Sequence, residues 1–210
     1  MCIRDRQEPR FSPGTNISIT SFVLFALKDQ ENKQVNEARS KAGIWIKRVR
    51  NKDHGFYFHP KKDHSGNKAE WLEGRPEQPK SYGTATVDGM RAMRSLRLPS
   101  KQISETANWL TRNSETEQGI TFVPGFELVP RNRDGSWGQG LLYYYLMSLA
   151  LEKQNLPESF RKACLNRIPR YLLEQQKENG SWENSSARMR EDDPLIATPL
   201  ALIALAQFQK

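Results

Sequence analysis

Tyr171–Gln209 reads YLLEQQKENGSWENSSARMREDDPLIATPLALIALAQFQ, and this stretch decides the fold. An amphipathic helix runs into a Gly-Ser-Trp turn, a polar loop follows, and two adjacent carboxylates, Asp192 and Asp193, open a second helix. That helix is apolar on nearly every face: Leu195, Ile196, Ala197, Leu200, Ala201, Leu202, Ile203, Ala204, Leu205 and Ala206. A helix that is apolar all round is normally buried between other helices. The stretch therefore predicts an acidic pair at the mouth of a buried helix, just after an aromatic turn.

The rest of the chain repeats this unit without the acid pair. Strongly apolar helices are predicted over Ser18–Leu27, Tyr82–Leu96, Gly140–Leu151 and Leu195–Leu205, with Thr20, Thr84, Leu141 and Thr198 spaced 64, 57 and 57 positions apart. Between them, Val35–Arg50, Ile103–Thr111 and Phe160–Gln176 carry apolar residues at three and four spacing with charges elsewhere, the mark of amphipathic helices. Glycine-plus-aromatic turns end these units at His54-Gly55-Phe56, Asp134-Gly135-Ser136-Trp137 and Asn179-Gly180-Ser181-Trp182. Glycine after a helix suits a left-handed cap. Asn51–Ser81 and Asn113–Gln139 are long loops without a clear period, and loops of that size tend to carry function. Strand signals are nearly absent; only Gly55–His59 and Ile120–Val123 are short runs that could pair locally. The pattern predicts an all-α chain of stacked helix pairs. In each pair an apolar helix faces inward and an amphipathic one outward, and each pair needs its neighbours for stability. Phe22–Leu27, Thr86–Leu96, Leu142–Leu151 and Pro199–Phe208 should be more buried than the helices between them.

Composition narrows the function. The 210 residues suit one domain. Lysine and arginine outnumber aspartate and glutamate by 32 to 24, but the excess is spread over outer faces, as in Lys47, Arg48, Arg50 and Lys52. That points away from nucleic acid, whose binding sites cluster cations with stacking aromatics. A weak membrane-surface contact is the other reading of the charge, and the compartment expected is cytoplasmic or peripheral to a membrane. No apolar run approaches the ~20 residues of a membrane span. Cys2 and Cys164 make neither a disulfide framework nor a cysteine metal site. Residues 1–16, opening on MCIRDR, read as a non-native or disordered tail, and residues 17–210 as the domain. The expectation is that the chain is a piece of a longer protein.

Gln175–Trp182 (QQKENGSW) looks like the Gln-Trp motif of terpene cyclases, with Gln175 or Gln176, Gly180 and Trp182 at matching spacing. Asp134–Trp137 is a half copy without the glutamine. Arg190-Glu191-Asp192-Asp193 occupies the slot of the Asp-x-Asp-Asp acid of squalene–hopene cyclases, with Asp192 and Asp193 matching its second and third aspartates and Arg190 replacing the first. After residue 16 the chain resembles bacterial prenyltransferase and squalene-oxidase repeat proteins, through SYGTATVDGMRAM, LLYYYLMSLAL and EDDPLIATPLALIALA. The resemblance implies a partial α/α toroid of about three and a half helix pairs. It implies that Gln175 or Gln176 and Trp182 tie an outer helix end to the next inner helix. It also implies carbocationic cyclisation of a polyprenyl substrate without a cofactor, Asp192 being the acid and Asp193 its partner.

Each motif has a plainer reading. Adjacent carboxylates near an apolar cavity raise one pKa and keep a proton available. Alternatively, an aspartate before a proline simply caps a helix, and Arg190 with the helix N-terminus favours that ionised form. Phe22, Phe25, Trp137, Tyr144 and Tyr145 could line a cavity for an isoprenoid or other apolar ligand and stabilise cations with their ring faces, or they pack the core. Tyr143, Tyr144 and Tyr145 cannot all face one way on a helix. His54, His59 and His64 lie in a loop with no register for a metal, and no metal site is expected. Asp88 is read as a buried structural hydrogen-bond partner. The competing function is a non-catalytic repeat module that binds a lipid, peptide or protein, and an open end of the row predicts self-association.

Overall fold

The computed structural model describes residues 16–60, 67–72, 74–114, 123–126 and 136–209. Among them the chain is all-α, and the predicted helices form with their ends shifted by a few residues. In order they are α1 (Ile17–Ala26), α2 (Lys33–Arg48), α3 (Gly83–Ser95), α4 (Ser100–Ser114), α5 (Ser136–Gln139), α6 (Leu142–Glu152), α7 (Glu158–Glu174) and α8 (Pro194–Ala206). A small antiparallel hairpin, β1 (Trp71–Leu72) with β2 (Arg75–Pro79), lies between α2 and α3. The tail before residue 16, His64, and the Asp134-Gly135 half of the first Trp turn lie outside the described residues.

Local chemistry sets the starts. The side chain of Asn16 accepts the Ile19 N–H at 2.9 Å, and Asn32 accepts that of Val35 at the same distance. Both satisfy donors that a helix leaves open in its first turn. The helices then pack by type. α1 lies on α3, α3 on α6 and α6 on α8, so each repeat contributes one helix to a single row. α2 and α4 pack against α3, while α7 packs against α6 and α8. α3 and α6, inside the row, are buried along nearly their whole length.

The two helices at the ends of the row correct one expectation. On α1, Ile17, Thr20, Ser21 and Leu24 are buried, yet Ile19, Phe22, Val23 and Phe25 face outward. On α8, Ala197, Ala201 and Ala204 are buried, while Leu195, Ile196, Leu202 and Ile203 are exposed, Leu195 at 82%. A helix of the row is fully covered only when it has neighbours in the row on both sides, and among the described residues α1 and α8 each have one.

The long Asn51–Ser81 loop is more ordered than its sequence suggests. Arg50 pairs with Phe56 as an isolated bridge, and the left-handed position falls on His54 (φ 74°) rather than on Gly55. Gly55 is required for space instead: a Cβ there would sit 2.5 Å from Ser81 Cβ and 2.8 Å from the Trp109 ring. Asn51 donates to the Pro79 carbonyl (2.9 Å) and to Ser81 Oγ (3.0 Å). Asp53 accepts from Ser81 Oγ (2.8 Å) and Trp109 Nε1 (2.9 Å). These bonds fasten the loop to the start of α3 and to α4.

Candidate functional site

The acid slot contains three carboxylates with three different environments. Asp193 is the N-cap of α8: its backbone is extended, and its Oδ1 accepts the Leu195 N–H at 2.9 Å. Arg190 Nη2 approaches its other oxygen at 3.4 Å, with both groups partly in water. Asp192 is exposed. Glu191 is the buried member, at 1% exposure. Its two oxygens accept the Tyr143 and Tyr144 N–H groups, each at 2.9 Å, and Asn184 Nδ2 donates to it at 2.7 Å. Glu191 thus caps α6 from a loop more than forty residues away. Burial pushes its carboxyl up to about 7, against the pull of the backbone N–H groups and Asn184. The backbone that turns this loop includes Arg190 in the left-handed region (φ 63°).

The Gln-Trp turn is only partly the tie that the resemblance implies. Trp182 is buried; its Nε1 donates to the Leu172 carbonyl of α7 at 2.7 Å, and its own N–H donates to Thr198 Oγ1 of α8 at 3.1 Å. The tryptophan therefore joins α7 to α8. Neither glutamine does so. Gln175 is the C-cap of α7 and is exposed, and Gln176 Nε2 reaches back to the Gly180 carbonyl at 2.9 Å. The turn folds on itself because Gly180 takes a left-handed conformation (φ 85°), which glycine adopts without steric cost. That leaves the glutamine nearer to its own turn than to α8.

The aromatics separate. Phe22 and Tyr144 come together edge to face, with centroids 6.5 Å apart, and Arg91 lies over the Phe22 ring at 4.6 Å. Phe25 is exposed beneath Lys28, at 4.4 Å. Tyr145 points elsewhere, into the core, and bonds Ser114. Trp137 is stacked by Arg188 (5.2 Å) and Lys68 (5.5 Å).

Where α1, α3 and α6 meet, the row buries charge. Asp88, fully buried, accepts from Ser18 Oγ (2.6 Å), Arg91 Nη1 (2.9 Å) and Tyr144 Oη (3.0 and 3.1 Å). Arg91, also buried, lies 3.5 Å from Glu152, which Arg94 meets at 2.5 Å. Burial pushes the Asp88 carboxyl up, while Arg91, Ser18 and Tyr144 pull it back. Burial works against the Arg91 charge, but Asp88, Tyr144 and Glu152 outweigh it and its pKa rises. Three donors converge on Asp88, and burial outweighs them, leaving its pKa raised. The sequence reading of Asp88 as a structural hydrogen-bond partner matches this geometry, and the network around it was not foreseen.

Glu191 is the residue that the sequence did not single out. Nothing local marks it, because the two backbone donors that it caps, Tyr143 and Tyr144, lie in another repeat. Among the described residues no three His, Cys, Asp or Glu side chains gather as a metal site would require, and no helix is long and apolar enough to cross a membrane. No protein-family model matches the chain, and no curated protein matches it.

Proposed function

We propose that this chain is a repeat module of the terpene cyclase and prenyltransferase kind, a partial α/α toroid that binds an apolar, isoprenoid-type partner without cyclising it. The observation that carries the reading is the unequal burial of the inner row. α3 and α6 are covered, whereas α1 and α8 present Ile19, Phe22, Val23, Phe25 and Leu195, Ile196, Leu202, Ile203 to solvent. Exposed apolar faces, where they form patches, mark interaction sites. The acid slot supports binding over protonation. A carboxyl that protonates an alkene must hold its proton in a desolvated, preorganised place. Asp192 is exposed, and Asp193 is engaged in capping α8 beside Arg190.

Displacement of an apolar fluorescent dye by farnesol tests the reading. Dye should bind the purified protein, farnesol should displace it, and Leu195→Lys with Leu202→Lys should weaken both. Lack of dye binding, or binding unaffected by that pair of substitutions, would refute the proposal. A cyclised product from squalene that disappears in Asp192→Asn would restore the catalytic reading instead.

A further inference from the structure

A second site lies away from the inner row, and it does not depend on the reading above. We propose that the cleft between the end of α2, the turn after it and the β1–β2 hairpin binds a small organic phosphate. The cleft encloses about 820 Å³ and is lined by Arg48, Arg50, Lys52, Tyr57, Leu72 and Gln78, among others. That volume lies in the range of small-molecule sites and is far larger than a bare phosphate needs.

The charges favour an anion. Arg48 and Lys52 are exposed on the lining and form no ion pair among the described residues. The carboxylate that lines the cleft, Asp53, is already engaged by the Gly55 N–H, Ser81 and Trp109. Arg50 spends its Nη2 on Glu105 at 3.0 Å and the Gln102 carbonyl at 3.2 Å. Its buried Nε has no hydrogen-bond partner. A buried donor left unpaired is costly, and the guanidinium that carries it lines the cleft.

The remaining lining explains why the phosphate should carry an organic group. Tyr57 is buried, with its hydroxyl donating to the Arg48 carbonyl, and Asn51 is held by Pro79, Ser81 and Gln78. The floor is therefore rigid and already satisfied. Half-buried Leu72 and Pro60 add an apolar wall. Cations and apolar side chains on one lining suit a phosphate on a short ring or chain. Guanidinium groups read phosphate oxygens through their fixed fork of donors.

Calorimetric titration of the whole chain with phenyl phosphate at low ionic strength tests the proposal. Phenyl phosphate should bind saturably, inorganic phosphate at least tenfold more weakly, and phenol not at all. The double variant Arg48→Gln with Lys52→Gln should weaken phenyl phosphate at least tenfold. Lys33→Gln with Lys41→Gln, which removes the same charge elsewhere on α2, should change it less than twofold. Circular dichroism checks that both variants are folded. Phosphatidylglycerol vesicles identify the source of the phosphate. Retention on vesicles that the Arg48 and Lys52 substitutions abolish assigns it to a lipid headgroup. No retention, with phenyl phosphate binding intact, assigns it to a soluble ligand. Absence of saturable phenyl phosphate binding, or equal weakening by the two double variants, overturns the proposal.

Discussion

Glu191 shows how one side chain can be set by its position rather than by its neighbours in sequence. Its folded pKa of about 7 stands above the ordinary value of 4.5. At a pH between those two values the folded state holds a proton that the unfolded state has lost. Raising the pH through that window therefore favours unfolding, by up to roughly 1.4 kcal/mol for each pH unit. The stability advantage of the native protein over Glu191→Gln should shrink as the pH rises from 5 to 7, measured by urea unfolding at each pH. Parallel curves for the two proteins would contradict this. Trp182 is the other decisive residue. Its truncation takes away a buried ring and the Nε1–H bond to the Leu172 carbonyl of α7, so Trp182→Ala should cost about 3–5 kcal/mol, and an unchanged Tm would refute the assigned role.

At the scale of the element, the two aspartates before α8 should behave differently. Asp193 accepts the Leu195 N–H, so Asp193→Ala should destabilise by about 0.5–2 kcal/mol and Asp193→Asn by much less, because asparagine caps as well. Asp192 is exposed and Asp192→Asn should shift stability by less than about 0.5 kcal/mol. Thermal melts of the three variants check the order. The inner helices are pinned differently, by Asp88, which joins Ser18 of α1 and Tyr144 of α6 to Arg91 of its own α3. Asp88→Ala takes from buried Arg91 its nearer carboxylate and leaves it Glu152 at 3.5 Å, and breaking a buried pair from one side costs up to about 3–5 kcal/mol. A loss under about 1 kcal/mol in chemical denaturation would mean that Glu152 or water compensates Arg91.

Over the whole molecule, the arrangement is a row whose members depend on their neighbours. Stability in such arrays is close to a sum of units and the interfaces between them, so the ends should be the weak points. α1 and α8 carry most of the exposed large apolar side chains among the described residues. The purified protein should therefore show concentration-dependent sedimentation. Leu195→Lys with Leu202→Lys should shift it toward monomer while leaving the Tm within a few degrees. A monomer at all concentrations would show that the exposed faces do not attract one another. The formal charge of +8 opposes such association, and added salt, which screens it, should strengthen it.

The helices were legible in the sequence because apolar spacing and repeat period are local properties. The runs at Ser18, Tyr82, Gly140 and Leu195, and the amphipathic stretches between them, needed nothing but their own residues to be recognised. That an aspartate of the Asp-Asp-Pro step caps α8 was legible for the same reason, but not which one: the cap expected at Asp192 falls on Asp193. Gln176 was misread because a motif records spacing, whereas the φ of Gly180 decides where the chain after it points. The hairpin at 71–79 escaped because the two residues of β1 are too few to show alternation and β2 carries two prolines. Burial at the ends of the row could not be read from composition: Leu195 and Leu146 are the same residue type, and only the presence of a neighbouring helix leaves one exposed and buries the other. Glu191 and the Asp88 network belong to the same class. Arg91 and Asn184 are near in sequence, but Tyr143 and Tyr144 for Glu191, and Ser18 and Tyr144 for Asp88, lie in other repeats, so the tertiary structure alone decided what would meet these carboxylates there.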